Sequence, residues 1–204
     1  MYAGSQQLEI FDQSNQLSFK VLLRYPSETV SSNIMFGPYS FDVSPEAVIA
    51  AGTFPLIVIS HGTGGSHLLY RSIALYLSKK GYVAAQIEHP GNNRNNNELE
   101  GTLRNLEYRP KHISLTLDAI RHHKPFKSQV QTNNVAIIGQ SIGGYTALAI
   151  SGGIAWSKDA QKVNTEPDPR VKAMVLLAPA AGFFQAPRAL STADIPILLN
   201  ERGT

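Results

Sequence analysis

Cysteine is absent from the 204 residues. That excludes a disulfide framework, a thiolate nucleophile and any cysteine-ligated zinc or iron–sulfur cluster. Charge is sparse: 16% of residues are Asp, Glu, Lys or Arg, and the net charge is only +3. Nucleic-acid binding calls for a basic stripe or a known module. Here the densest basic spots are Lys79-Lys80 and Arg121 with Lys124, near expected helix ends where cations suit the dipole. Long apolar runs are missing too. Phe54–Ile59 and Met174–Ala181 fall far short of the ~18–20 residues of a membrane span. Met1-Tyr2-Ala3-Gly4-Ser5 has neither the basic nor the apolar region of a signal peptide, so a cytoplasmic location is expected. With 43% hydrophobic residues the chain is too apolar for disorder, and one domain spanning 1–204 is expected.

What is present is a change of pattern near residue 54. Before it, Leu8, Ile10, Leu17, Phe19, Val21 and Leu23 alternate loosely, predicting two antiparallel strands joined by a turn at Asp12–Asn15. Residues 26–53 are rich in Pro, Ser and Gly and read as a long irregular connection. From Leu56-Ile57-Val58-Ile59 onward, short β-branched runs alternate with helical stretches. The predicted strands are 56–59, 82–87, 135–138, 171–177 and 195–199. The first helix is expected to bury Leu69, Ile73, Tyr76 and Leu77 and to end at Gly81. Residues 91–107 are Asn-rich and read as a solvated loop. Pro110 suits the first turn of a second helix that buries Ile113, Leu117 and Ile120. Alternating strands and helices predict an α/β fold: a mostly parallel sheet with helices on both faces.

The chemistry-bearing motif is Gly139-Gln140-Ser141-Ile142-Gly143, which matches G-x-S-x-G with a strand before it and a helix after it. A nucleophile on so tight a turn needs a strained backbone. Side chains two residues before and after would collide, so both positions are Gly. Ser141 is the candidate nucleophile, at a helix N-terminus that favours developing negative charge. His61-Gly62-Thr63-Gly64-Gly65 follows the earlier strand. The backbone N–H groups of Thr63 and Ile142 are the candidate oxyanion hole.

These motifs come in a telling order. They are Ile59–Gly65, Gly81-Tyr82-Val83-Ala84-Ala85, Glu88-His89-Pro90-Gly91 and Ile138–Gly144. In that order they resemble the α/β-hydrolase superfamily, and within it predicted dienelactone hydrolases and platelet-activating-factor acetylhydrolases. The resemblance covers most of residues 17–200. It implies a serine esterase working on a small ester or lactone without metal or organic cofactor. It also implies oxyanion amides at Thr63 and Ile142.

The rest of a triad is not visible. Acid and histidine should follow the serine, yet His61, His67, His89, His112, His122 and His123 all precede Ser141. His61 and His89, in turns after strands, read as structural or as lying at the edge of the site, His67 as opening a helix, and at least two of the other three as facing solvent. Ala178 stands where the acetylhydrolases carry their acid. Asp168 reads as a turn residue, and Asp194 precedes the last strand, at the wrong end. Glu201 is the candidate acid. The expectation is a hydrolase domain whose C-terminal part, with the acid, the histidine and a closing helix, is missing. Two other functions compete. One is a non-catalytic hydrolase-fold binding protein. The other is a nucleotide-binding domain, against which stands the lack of G-x-G-x-x-G and of a P-loop lysine.

Overall fold

A computed structural model describes residues 1–200. The elements are β1 (Tyr2–Asp12), β2 (Leu17–Ser27), β3 (Ser32–Phe36), β4 (Tyr39–Pro45), β5 (Phe54–Ser60), α1 (Arg71–Lys79), β6 (Val83–Ile87), α2 (Leu103–His122), β7 (Val130–Gln140), α3 (Ile142–Ile150), β8 (Val171–Leu177), a 3-10 turn at Ala181–Phe184, and β9 (Ile197–Asn200). The strands form one sheet in the order β3-β4-β1-β2-β6-β5-β7-β8-β9. β1 and β2 pair antiparallel, and β2 joins β6 antiparallel. From β6 to β9 every pairing is parallel. This is the α/β-hydrolase architecture the motifs implied, including its antiparallel N-terminal strands.

Period-two alternation sorts the sheet's two faces. Leu56, Val58, Ile137, Met174 and Leu176 enter a large core with Leu106, Ile113, Leu117 and Ile120 of α2 and most of α3. Ile57, Ile59, Ile138, Val175 and Leu177 point the other way, toward Ala74 and Leu77 of α1. Helices thus cover both faces. All nine residues of α3 are buried, because it lies between the sheet and α2.

Four expectations need correction. Residues 26–53 are not an irregular connection, because β3 and β4 form a hairpin there around Gly37-Pro38. Gly37 takes a positive φ of 57°, which a two-residue hairpin loop requires of its first central residue. The alternation Ile34/Phe36 and Phe41/Val43 was hidden in a Pro/Ser-rich background. In α1 the buried residues are Ala74 and Ser78, whereas Ile73 and Tyr76 are exposed, as is Leu69 in the turn before the helix. A helix lying close on a sheet needs small residues at the contact, so size overrode apolarity.

The second helix begins at Leu103, not at Pro110. Thr102 caps it by accepting from the Asn105 N–H at 3.2 Å. Pro110 is interior and removes the N–H that would bond the Leu106 carbonyl. The Tyr145 hydroxyl donates to that carbonyl instead, at 3.1 Å. Finally, the asparagine segment is only partly solvated. Asn92 and Asn93 are buried, and the Asn93 carboxamide oxygen accepts the N–H groups of Asn95 and Asn96 to shape the turn.

Candidate active site

β7 runs straight into the turn that carries Ser141 at φ 53°, ψ −118°. L-residues rarely adopt this backbone conformation, and holding one there costs of order 1–3 kcal/mol. The surroundings enforce it. The Ser141 N–H donates to the Leu177 carbonyl at 3.1 Å, and the Ser141 carbonyl accepts from Gly144 and Ala180, both at 2.9 Å. The turn is thereby fastened to the end of β8. A Cβ on Gly139 would lie 2.3 Å from the Gly143 carbonyl oxygen, the collision expected from the motif. A Cβ on Gly143 would lie 2.0 Å from the Ser60 carbonyl oxygen at the end of β5, so that glycine also lets α3 approach the sheet. Ser141 occupies the N-cap position of α3, but its hydroxyl makes no capping bond.

The glycine loop after β5 lies against this turn. A Cβ on Gly62 would come within 3.3 Å of the Ser141 Cβ. Thr63, Ser141 and Ile142 together line a pocket of ≈ 380 Å³. Leu103, Leu106, Ala180 and Phe183 give it an apolar wall, and Thr102, Ser157 and Gln161 add polar groups. Neither the Thr63 N–H nor the Ile142 N–H has a protein hydrogen-bond partner among the described residues. Ile142 opens α3, so its N–H belongs to the unpaired first turn.

The histidines do not enter this pocket. His61, His89 and His112 are buried in a single chain of contacts. His61 Nδ1 faces the Gly62 carbonyl at 2.7 Å and must carry the proton, because a carbonyl only accepts. Its Nε2 accepts the His89 N–H at 3.2 Å. His89 Nε2 meets Ser60 Oγ at 2.9 Å, and its Nδ1 meets His112 Nδ1 at 3.2 Å. Burial, seconded by the Arg109 charge, pushes His61 and His112 down to about 3. The same causes hold His89 well below its usual value. These rings are neutral structural groups. His61 has no nitrogen left to receive a proton from Ser141. Of His112, His122 and His123, only His122 is exposed, because His112 is buried and His123 half-buried, so the expected solvent-facing pair is not found; His67 is half-buried as well. His67 precedes α1 in a turn.

The carboxylates divide similarly. Asp168 accepts from the Arg170 N–H at 3.0 Å, from Arg170 Nη2 at 2.7 Å and from Ser114 Oγ at 2.8 Å. It precedes β8, at the opposite end of the parallel strands from Ser141, as does Asp194 before β9. Ala178, at φ 44°, offers no acid. Glu201 lies outside the described residues.

Sequence reasoning missed Arg109, Asn92 and Ser60. Arg109 is fully buried on α2. It donates from Nε to Thr146 Oγ1 at 3.1 Å, from Nη1 to Asn92 Oδ1 at 2.8 Å, and from Nη2 to Ser60 Oγ at 3.2 Å and to the His61 carbonyl. One signal was available: position 109 falls three residues after Leu106 and four before Ile113, on the helix's apolar stripe.

Comparison with known proteins identifies the family and the fold. The family model for serine aminopeptidase, S33, matches residues 53–195. Platelet-activating factor acetylhydrolase from Bos taurus is 25% identical over 160 residues, covering 56% of this chain and 36% of that protein. The ferulic acid esterase structure from Streptomyces cinnamoneus superposes with a TM-score of 0.72 at 20% identity, over 97% of this chain and 64% of that one. Dienelactone hydrolase from Anabaena variabilis gives a TM-score of 0.58 at 17% identity, over 96% of this chain and 72% of that one. The chain therefore spans less than two thirds of the acetylhydrolase and of the esterase. The match to the family model spans most of the chain and contains both the glycine loop and the serine turn. On that ground this chain belongs to the serine aminopeptidase S33 family of the α/β-hydrolase superfamily.

Proposed function

We propose that this chain is a serine hydrolase of carboxylic esters or lactones, with Ser141 as nucleophile and the Thr63 and Ile142 N–H groups as its oxyanion hole. The observation that carries this reading is the strained Ser141 turn. Its hydroxyl does not cap the helix, and it opens on a pocket shared with both candidate amides. The similar proteins are by name an esterase, a dienelactone hydrolase and an acetylhydrolase, which supports the class. The apolar wall fits a small acyl or aryl group, and the amides fit the carbonyl oxygen.

In the reaction, Ser141 Oγ bonds to the carbonyl carbon and loses its proton as the carbonyl electron pair moves onto oxygen. The two N–H groups stabilise that charge. The tetrahedral intermediate collapses with expulsion of the alcohol, which takes up a proton, and water then hydrolyses the acyl-enzyme. None of the six histidines is placed to serve as the base, and we assign the serine proton to water in the open pocket. Turnover should fall orders of magnitude below that of an enzyme with a complete triad, with the residual rate owed to the oxyanion hole.

The test is labelling by a fluorophosphonate, together with hydrolysis of a short aryl ester. We expect stoichiometric labelling at Ser141, lost in Ser141→Ala. A folded protein that does not label overturns the proposal. Such an outcome would favour the second reading, a hydrolase-fold binding protein, whose supporting observation is that no histidine reaches Ser141.

A further inference from the structure

Arg109 is a cation buried without a counter-charge. Its relative exposure is 0%, and among the described residues no carboxylate lies within ion-pairing distance of it. All its acceptors are neutral, and they belong to the segments that build the candidate site. His61 and Ser60 lead into the loop carrying Thr63. Thr146 stands in α3, and its hydroxyl donates onward to the Ile142 carbonyl at 2.8 Å. Asn92 also accepts from Asn105, which lines the pocket, at 3.1 Å. An apolar side chain of similar volume would avoid the desolvation of a charge at this position. The planar fork of arginine is the side chain that reaches three directions at once; a lysine ammonium is a single point.

We infer that Arg109 is a positioning residue: one guanidinium holds the loop carrying the Thr63 amide and the helix turn carrying the Ile142 amide in register around Ser141. The inference rests on the site assignment proposed above. Thr63 and Ile142 stand 79 residues apart in sequence; β5 and β7 pair as far as Ser60 and Gly139, and both donor-bearing turns lie beyond the end of that ladder. Oxyanion donors act only when they already point at the place where charge will develop. Arg109 spans both sources from behind the site, so its bonds set that geometry without touching substrate. Burial lowers its pKa to about 9, which leaves it charged at neutral pH, where it bonds its four acceptors most strongly.

The experiment measures saturation labelling of Ser141 by a small fluorophosphonate, separating the maximal rate from the half-saturating concentration. Wild type, Arg109→Lys, Arg109→Met and Thr146→Val are compared, each checked for native circular dichroism. The Arg109 variants should lose roughly 100-fold in maximal rate and Thr146→Val roughly 10-fold, with half-saturation little changed, as for lost oxyanion alignment. Arg109→Lys should rescue only part of the loss.

Native-like variants that label at the wild-type rate overturn the inference. So does a loss confined to half-saturation. If the Arg109 variants do not fold, Thr146→Val decides, because it keeps the guanidinium and removes its link to α3 together with the bond to the Ile142 carbonyl that carries that link onward. If the wild type itself does not label, the functional proposal fails, and amide exchange then decides the positioning role. In Thr146→Val, exchange at residues 141–146 should quicken by roughly tenfold against the rest of α3. Unchanged exchange there overturns it.

Discussion

Ser141 is held where a glycine would sit more easily. Its φ of 53° is imposed by the bonds of its backbone to Leu177, Gly144 and Ala180. Replacing it with glycine relieves the strain and removes the hydroxyl together. Ser141→Gly should gain about 1 kcal/mol of stability in urea unfolding while losing all fluorophosphonate labelling. The neighbouring glycine behaves oppositely. Gly143→Ala puts a Cβ 2.0 Å from the Ser60 carbonyl oxygen, a backbone atom that cannot swing away. We expect a loss of about 2 kcal/mol or more, read by the same unfolding curve. Ser141 and its glycines were legible because five consecutive residues determine the turn. Arg109 was not, because its partners stand 17 to 49 residues away in sequence. A charged residue on an apolar helix stripe says that something pairs with it, and only the fold says what.

The β3–β4 hairpin covers Arg24 of β2. That guanidinium is fully buried, and among the described residues Nε, Nη1 and Nη2 have no hydrogen-bond partner. Its contacts are the Phe36 and Phe41 rings, at 5.0 and 5.2 Å. Cation–π attraction returns part of the desolvation cost, but not the lost hydrogen bonds. Arg24→Met should keep the packing and raise unfolding stability by about 1–3 kcal/mol. A fall in stability would show that the two rings fully compensate the charge. At the start of α2, Thr102→Ala removes the cap and should cost about 1 kcal/mol, visible as a lower melting temperature. Pro110 has the signature of a first-turn residue, yet it stands inside α2, two turns after its start at Leu103. Thr102 followed three residues later by Asn105 was the weaker but correct signal. Tyr145 makes the interior proline tolerable, and it comes from another helix.

For the whole molecule, the buried histidines make folding depend on pH. His61 and His112 fall from 6.5 to about 3 in the native state, and His89 falls as well. Below about pH 6.5 the unfolded chain binds protons at these rings while the folded chain does not. Their stability contribution is therefore whole at neutral pH and is lost as pH falls from about 6.5 toward 3. Each proton taken up on unfolding costs about 1.4 kcal/mol per pH unit. Asp12 and Asp168 add to this at lower pH. Burial raises both, but Lys111 with Ser14 and Asn15 for the first, and Arg170 with Ser114 for the second, hold them below the usual carboxylate range. Urea midpoints measured from pH 7.5 to 4.5 should decline steeply from about pH 6, earlier than carboxylates alone would produce. A flat profile down to pH 5 would refute neutral burial of the three rings.

The sequence by itself determined the alternating α/β order, the strained serine turn and the glycine loop, because each is a local pattern governed by sterics within a few residues. Only the tertiary structure decided which face of α1 is buried, that residues 26–53 form a hairpin over Arg24, and that three histidines and Arg109 lock together behind Ser141. Those outcomes depend on how closely distant elements approach and on which buried polar groups find partners there, and neither is written in any stretch of chain short enough to read alone.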